Sequence, residues 1–124
     1  MLRLLLIVAL LPALAACGKP DTADTSGGAP AADASAMLTA VLDDYFEESL
    51  ELNPLSATSI GDDRYNDRLA ISIGAEYRER ALAMEQNYLD RLLAIDSEAL
   101  DAQEQLSYDL FRLQREWAIE GAQF

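Results

Sequence analysis

Beyond residue 34 the apolar positions recur with the 3.6-residue period of an amphipathic helix, and polar, proline- or glycine-bearing stretches separate three such segments. The first runs from Ser35, placed as an N-cap, to Leu52. Leu38, Val41, Leu42, Tyr45, Phe46 and Leu52 fall within about 140° of arc, while Asp43, Asp44, Glu47, Glu48 and Glu51 occupy the other side. No basic residue offsets those acids, and acidic neighbours at i,i+4 repel by a few tenths of a kcal/mol. The acidic side therefore reads as a solvated face on a helix that packing must hold.

Asn53-Pro54 closes the segment, because a residue before proline is pushed out of the helical region. A short helical turn over Leu55–Ile60 is expected next, with Gly61 taking the left-handed C-terminal conformation. Residues 62–68 (DDRYNDR) are polar and acidic enough to raise the question of calcium. An EF-hand loop wants oxygen ligands at alternate positions, and Arg64 or Tyr65 falls on the third. The segment reads as an ordinary loop with Asp–Arg pairing.

The second long helix is expected from Ile73 or Ala75 to Ile95. Ile73, Tyr77, Ala81, Met84, Tyr88, Leu92 and Ile95 lie within about 100° of one another, and Leu82, Leu89 and Leu93 form a second stripe. Asp101 followed by Glu104 has the spacing of a capping box, restarting a helix near Ala102. There Leu106, Leu110, Leu113 and Trp117 share a face about 60° wide and are assigned to the core, with Tyr108, Phe111 and Ile119 off it. Arg112 and Glu116 form a favourable i,i+4 pair. The pattern specifies an all-α fold of helical hairpins or a bundle. Second apolar stripes on the last two helices leave surface that three helices cannot cover among themselves, which predicts self-association or further helices downstream. On that reading residues 35–124 are an incomplete helical region.

The N-terminal pattern differs in kind. An unbroken apolar run from Leu4 to Ala16 follows a single basic residue, Arg3, and ends in Leu14-Ala15-Ala16-Cys17. A charged start, a short apolar middle and small residues at the end make an export signal too short to span a membrane. An apolar residue, two small ones and cysteine match the lipobox of bacterial lipoproteins. Cleavage between Ala16 and Cys17 is expected, with the Cys17 thiol accepting a diacylglycerol. Stable anchoring needs two or more chains, which lipoprotein processing supplies. Gly18, rather than aspartate, at the next position favours the outer membrane by resemblance to lipoproteins of two-membrane bacteria. Residues 18–34 are small and polar, broken by Pro20, Gly27, Gly28 and Pro30, and read as a flexible tether reaching about 20–25 Å. The chain thus divides into a signal (1–16), a lipidated cysteine with its tether (17–34) and the helical region (35–124).

Charge and composition narrow the chemistry. The full chain of 124 residues has 9 basic and 22 acidic side chains, a formal net charge of −13. Loss of Arg3 with the signal leaves −14. Such a charge repels nucleic acid and anionic headgroups, so the folded part is expected to bind neither, and membrane contact is left to the lipid on Cys17. A single cysteine excludes an internal disulfide. There is no histidine, which removes the commonest zinc ligand and the usual general base near neutral pH. No catalytic, cofactor-binding or metal-ligating residue can be assigned within the chain.

The runs Leu42-Asp43-Asp44-Tyr45-Phe46-Glu47, Leu52-Asn53-Pro54-Leu55-Ser56-Ala57-Thr58, Gly61-Asp62 and Arg64-Tyr65-Asn66-Asp67-Arg68-Leu69 are similar to a known pattern. So are Leu92-Leu93-Ala94-Ile95-Asp96, Leu100 and Gln105-Leu106-Ser107-Tyr108-Asp109-Leu110-Phe111. Over Ala36–Phe124 the chain resembles the N-terminal segment of the bacterial domain-of-unknown-function 885 family. The resemblance implies a large, all-helical, lipid-anchored exported protein similar to zinc metallopeptidases with a His-Glu-x-x-His helix. That helix lies far downstream of the matched segment in the family, so no zinc ligand or catalytic glutamate carries over to any position here. The implied picture is the first helices of a peptidase-like body, inert by themselves, with zinc belonging only to a longer relative. The alternative is a complete small helical lipoprotein that binds a protein partner through its second apolar stripes. An independent enzyme built on paired carboxylates is the least supported reading.

Overall fold

The computed structural model describes residues 29–124. They form an all-α fold: α1 (Ala29–Leu52), α2 (Pro54–Ser59), α3 (Ala75–Leu93) and α4 (Ala102–Gly121), with a 3-10 turn at Ser97–Ala99 before α4. Cys17, the signal cleavage at Ala16 and the first part of the expected tether lie outside the described residues.

α1 begins at Ala29, six residues ahead of the expected cap at Ser35. Two features of the sequence account for this. Pro30 is tolerated in the first turn of a helix, where its missing N–H would find no partner. Alanine, the best helix former, then recurs at 31, 32, 34 and 36. The segment assigned to the tether is therefore helical from Ala29, and Ala34 is buried in the core. Ser35, far from capping anything, donates its hydroxyl to the Glu104 carboxylate at the start of α4.

Asn53 ends α1 with φ −121 and ψ 75, and Pro54 opens α2 one residue earlier than expected. At the other end of α2, Gly61 has φ +86. The Asp62 amide reaches back to the Ala57 carbonyl at 2.9 Å, and the Gly61 amide to that of Thr58 at 3.1 Å. These are the two bonds of a Schellman motif, and they require the left-handed residue between helix and loop. α4 starts as its sequence specifies. Asp101 Oδ1 accepts from the Glu104 amide at 2.8 Å, and Glu104 Oε2 accepts from the Asp101 amide at 3.0 Å.

α3 packs most extensively on α4, and α1 lies against α3, the 3-10 turn and α4. The core joins Ala34, Leu38, Val41 and Leu52 of α1 to Met84, Tyr88 and Leu92 of α3, Ile95 and Leu100 of the connection, and Tyr108 and Phe111 of α4. Leu92, at 0% exposure, is its most enclosed large side chain. Three expected core residues stand outside it. Ile73 is 84% exposed because α3 starts only at Ala75. Phe46, at the edge of the α1 stripe, and Leu93, in the second α3 stripe, are each about half exposed.

The largest departure from the sequence reading is the rotation of α4. Leu106, Leu110, Leu113 and Trp117, expected in the core, are 61%, 54%, 39% and 64% exposed. Tyr108, Phe111 and Arg115 are buried instead. Aromatic rings bury more area than leucines, and Tyr45 offers edge contacts that only the Phe111 side of α4 can take. Tyr45 packs edge-on against Phe111 and against Tyr88, with ring centroids 5.1 and 5.2 Å apart.

Candidate functional site

Two places in the molecule combine chemistry with an unusual environment. One is an interior cluster where α1, α3 and α4 meet. The other is the outward face of α4.

In the interior, Tyr45 of α1 donates its hydroxyl to Glu85 Oε1 of α3 at 3.1 Å. Arg115 of α4 brings Nε to 3.1 Å from Glu85 Oε2. Its guanidinium carbon lies 3.9 Å from the Tyr45 ring centroid and 4.7 Å from that of Phe111, so the cation rests on one aromatic face and beside another. Contact with the carboxylate is close but not aligned: Nε, Nη1 and Glu85 Oε2 are buried without a hydrogen-bond partner. Burial consequently outweighs the pairing. It pushes the Glu85 carboxyl up to about 7 and the Arg115 guanidinium below its usual range.

A groove of about 410 Å³, lined by Tyr77, Arg78, Leu82 and Glu85 of α3 with Ala118 and Ala122, reaches this cluster. A carboxyl titrating near 7 has the proton affinity of a general acid or base. Here, though, one oxygen holds the Tyr45 hydroxyl and the other faces Arg115, so both are committed to the protein's own groups. The arrangement ties three helices together. Neither Glu85 nor Arg115 was singled out in the sequence. A signal existed for Arg115, which follows Tyr108 by seven residues and Phe111 by four and so shares their face.

The acidic side of α1 is not simply solvated. Asp44 pairs with Arg91 at 2.5 Å, Glu47 with Arg64 at 2.8 Å and Glu51 with Arg68 at 3.1 Å, while Glu48 accepts from the Tyr88 hydroxyl at 2.9 Å. Burial, with Glu48 adding to it, raises the Tyr88 hydroxyl to about 12, so it stays a donor. Arg64 also grips Asp62 at 2.6 Å, the Asp–Arg pairing expected of that loop, and holds the Asp62 carboxyl below its ordinary value. Exposed pairs of this kind are screened by solvent and contribute little individually. Their effect is to dock the 62–68 segment and α3 along α1.

Among the described residues no three cysteine, aspartate or glutamate side chains converge as a metal site, and no helix is long and apolar enough to cross a membrane. No family model, curated protein or solved structure matches the chain.

The outward face of α4 is the larger anomaly. Leu106, Leu110, Leu113 and Trp117 form one continuous apolar stripe on the side opposite Tyr108 and Arg115, with the Leu113 side chain the least exposed at 39%. Contiguous apolar surface of this kind marks an interface.

Proposed function

We propose that the chain is an exported, lipid-anchored helical module that acts by packing against other protein and performs no chemistry itself. The observation that carries this reading is the α4 face. Three leucines and the single tryptophan stand in line on one side of a well-capped helix whose other side is already occupied by the core. The lipobox at Leu14–Cys17 supplies the anchor, and the absence of histidine is in keeping with a non-catalytic role. The resemblance to the domain-of-unknown-function 885 family supplies one form of the reading, in which such helices open a larger peptidase-like body.

A photo-crosslinking residue placed at Leu113 in the full chain, expressed in a two-membrane bacterium, tests it. A discrete protein adduct in the outer-membrane fraction, absent when the same residue replaces the exposed Asp43, is the expected result. A chain that floats with membranes yet yields no adduct at Leu113 would overturn the packing role. A Cys17→Ser chain should lose the membrane association altogether.

A further inference from the structure

Leu106, Leu110, Leu113 and Trp117 are separated by four, three and four residues. That alternation is the a/d spacing of a coiled-coil seam, not the broader stripe by which a helix usually meets a globular core. The flanks of this seam are unequal. On one side lie Asp109 and Glu116; on the other lie Ser107 and Gln114, and the seam register ends at Gln103 and Glu120. Arg112 sits behind the acidic flank and touches it only loosely, 3.7 Å from Asp109 and 3.9 Å from Glu116.

We infer that the occupant of this face is one amphipathic α-helix of a partner protein, with its own apolar a/d seam and lysine or arginine along the single flank that meets Asp109 and Glu116. This rests on the packing role proposed above. Seam spacing decides that the occupant is a helix, since knobs at a and d need the four-residue holes of another helix. Charge decides what kind. A second copy placed antiparallel sets the acidic flank against itself. A parallel second copy leaves that flank facing glutamine and brings together two chains each of formal charge −13. A helix basic on one flank meets neither penalty. The neutral flank makes no demand, so charge on the partner's other side is free.

Trp117 is the only tryptophan and lies on the seam, so its emission reports whether the face is covered. The test uses the full chain with Cys17→Ser and two synthetic helical peptides with identical leucine seams, one carrying lysine and the other glutamate on a single flank. The lysine peptide should blue-shift Trp117 and bind at least about ten-fold tighter at low salt, the gap narrowing as added salt screens the charges. Neutralising the flank (Asp109→Asn, Glu116→Gln) should shrink the gap to about two-fold. Leu110→Glu should abolish binding of both peptides while circular dichroism stays unchanged. Equal binding of the two peptides, or no binding of either, overturns the inference. So does a concentration-dependent blue shift of Trp117 with a dimer in sedimentation, which assigns the face to a second copy. Crosslinking at Leu113 is read independently, so an adduct there alongside failure of the peptides would leave the packing role standing.

Discussion

Arg115 Nε and Glu85 Oε2 are 3.1 Å apart, buried at the junction of three helices, and do not complete a hydrogen bond with each other. Taking two charges out of water costs several kcal/mol per ion, and a misaligned pair recovers only part of it. Truncating one partner is worse still, because the other is left charged and alone. Glu85→Leu or Arg115→Met singly should cost about 3–5 kcal/mol, whereas the double variant should match or exceed the wild-type stability. Urea unfolding of the four proteins in a double-mutant cycle measures this. A double variant as unstable as the sum of the singles would contradict it.

Glu85 also sets a pH dependence. Its folded value of about 7 lies above the ordinary 4.5, so the native state binds the proton more tightly than the unfolded chain. Stability from this group is fully present below about 4.5 and is lost as pH rises toward 7. Thermal melts should show Tm falling between pH 5 and 7.5. Glu85→Gln should flatten that part of the profile. An identical slope in the variant would assign the effect to general charge repulsion.

The two sides of α4 should respond in opposite ways. Phe111→Ala removes a buried ring packed on Tyr45 and should cost about 3–5 kcal/mol. Leu110→Gln lies on the outward stripe and should stay within about 0.5 kcal/mol of wild type. Chemical denaturation of both decides the matter, and a large loss from Leu110→Gln would return that stripe to the core.

Leu92 is the most enclosed large side chain in the core, and Leu92→Ala should cost about 2–5 kcal/mol with the outward surface unaltered. By comparison, Asp101→Ala removes only the α4 cap and should cost about 0.5–2 kcal/mol. The ranking of the two in one denaturation series is the check.

Elements whose local chemistry is self-sufficient were legible in the sequence. The Asn53-Pro54 stop, the left-handed Gly61 and the Asp101/Glu104 box each depend on residues within a few positions, and each stands where expected. The Met84, Tyr88 and Leu92 stripe was also readable, because the apolar positions in line with it outnumber the competing Leu82, Leu89 and Leu93 stripe. α4 misled for the opposite reason. Its leucine stripe is the cleaner periodic signal, but choosing which of two apolar faces turns inward depends on Tyr45 and Glu85, residues distant in sequence. The start of α1 was missed because alanine reads both as a small linker residue and as the strongest helix former. Only the burial of Ala34 separates these meanings. The interior cluster was not legible at all, since no short-range rule joins positions 45, 85 and 115.

Glu104 serves two elements at once: one carboxylate oxygen closes the α4 cap, and the other receives the Ser35 hydroxyl of α1. This makes it a mechanical junction. A pull on the N-terminal end of α1 meets this bond at Ser35 before it reaches the apolar contacts of Leu38 and Val41 further along the helix, and Ser35→Ala would remove that first point of resistance.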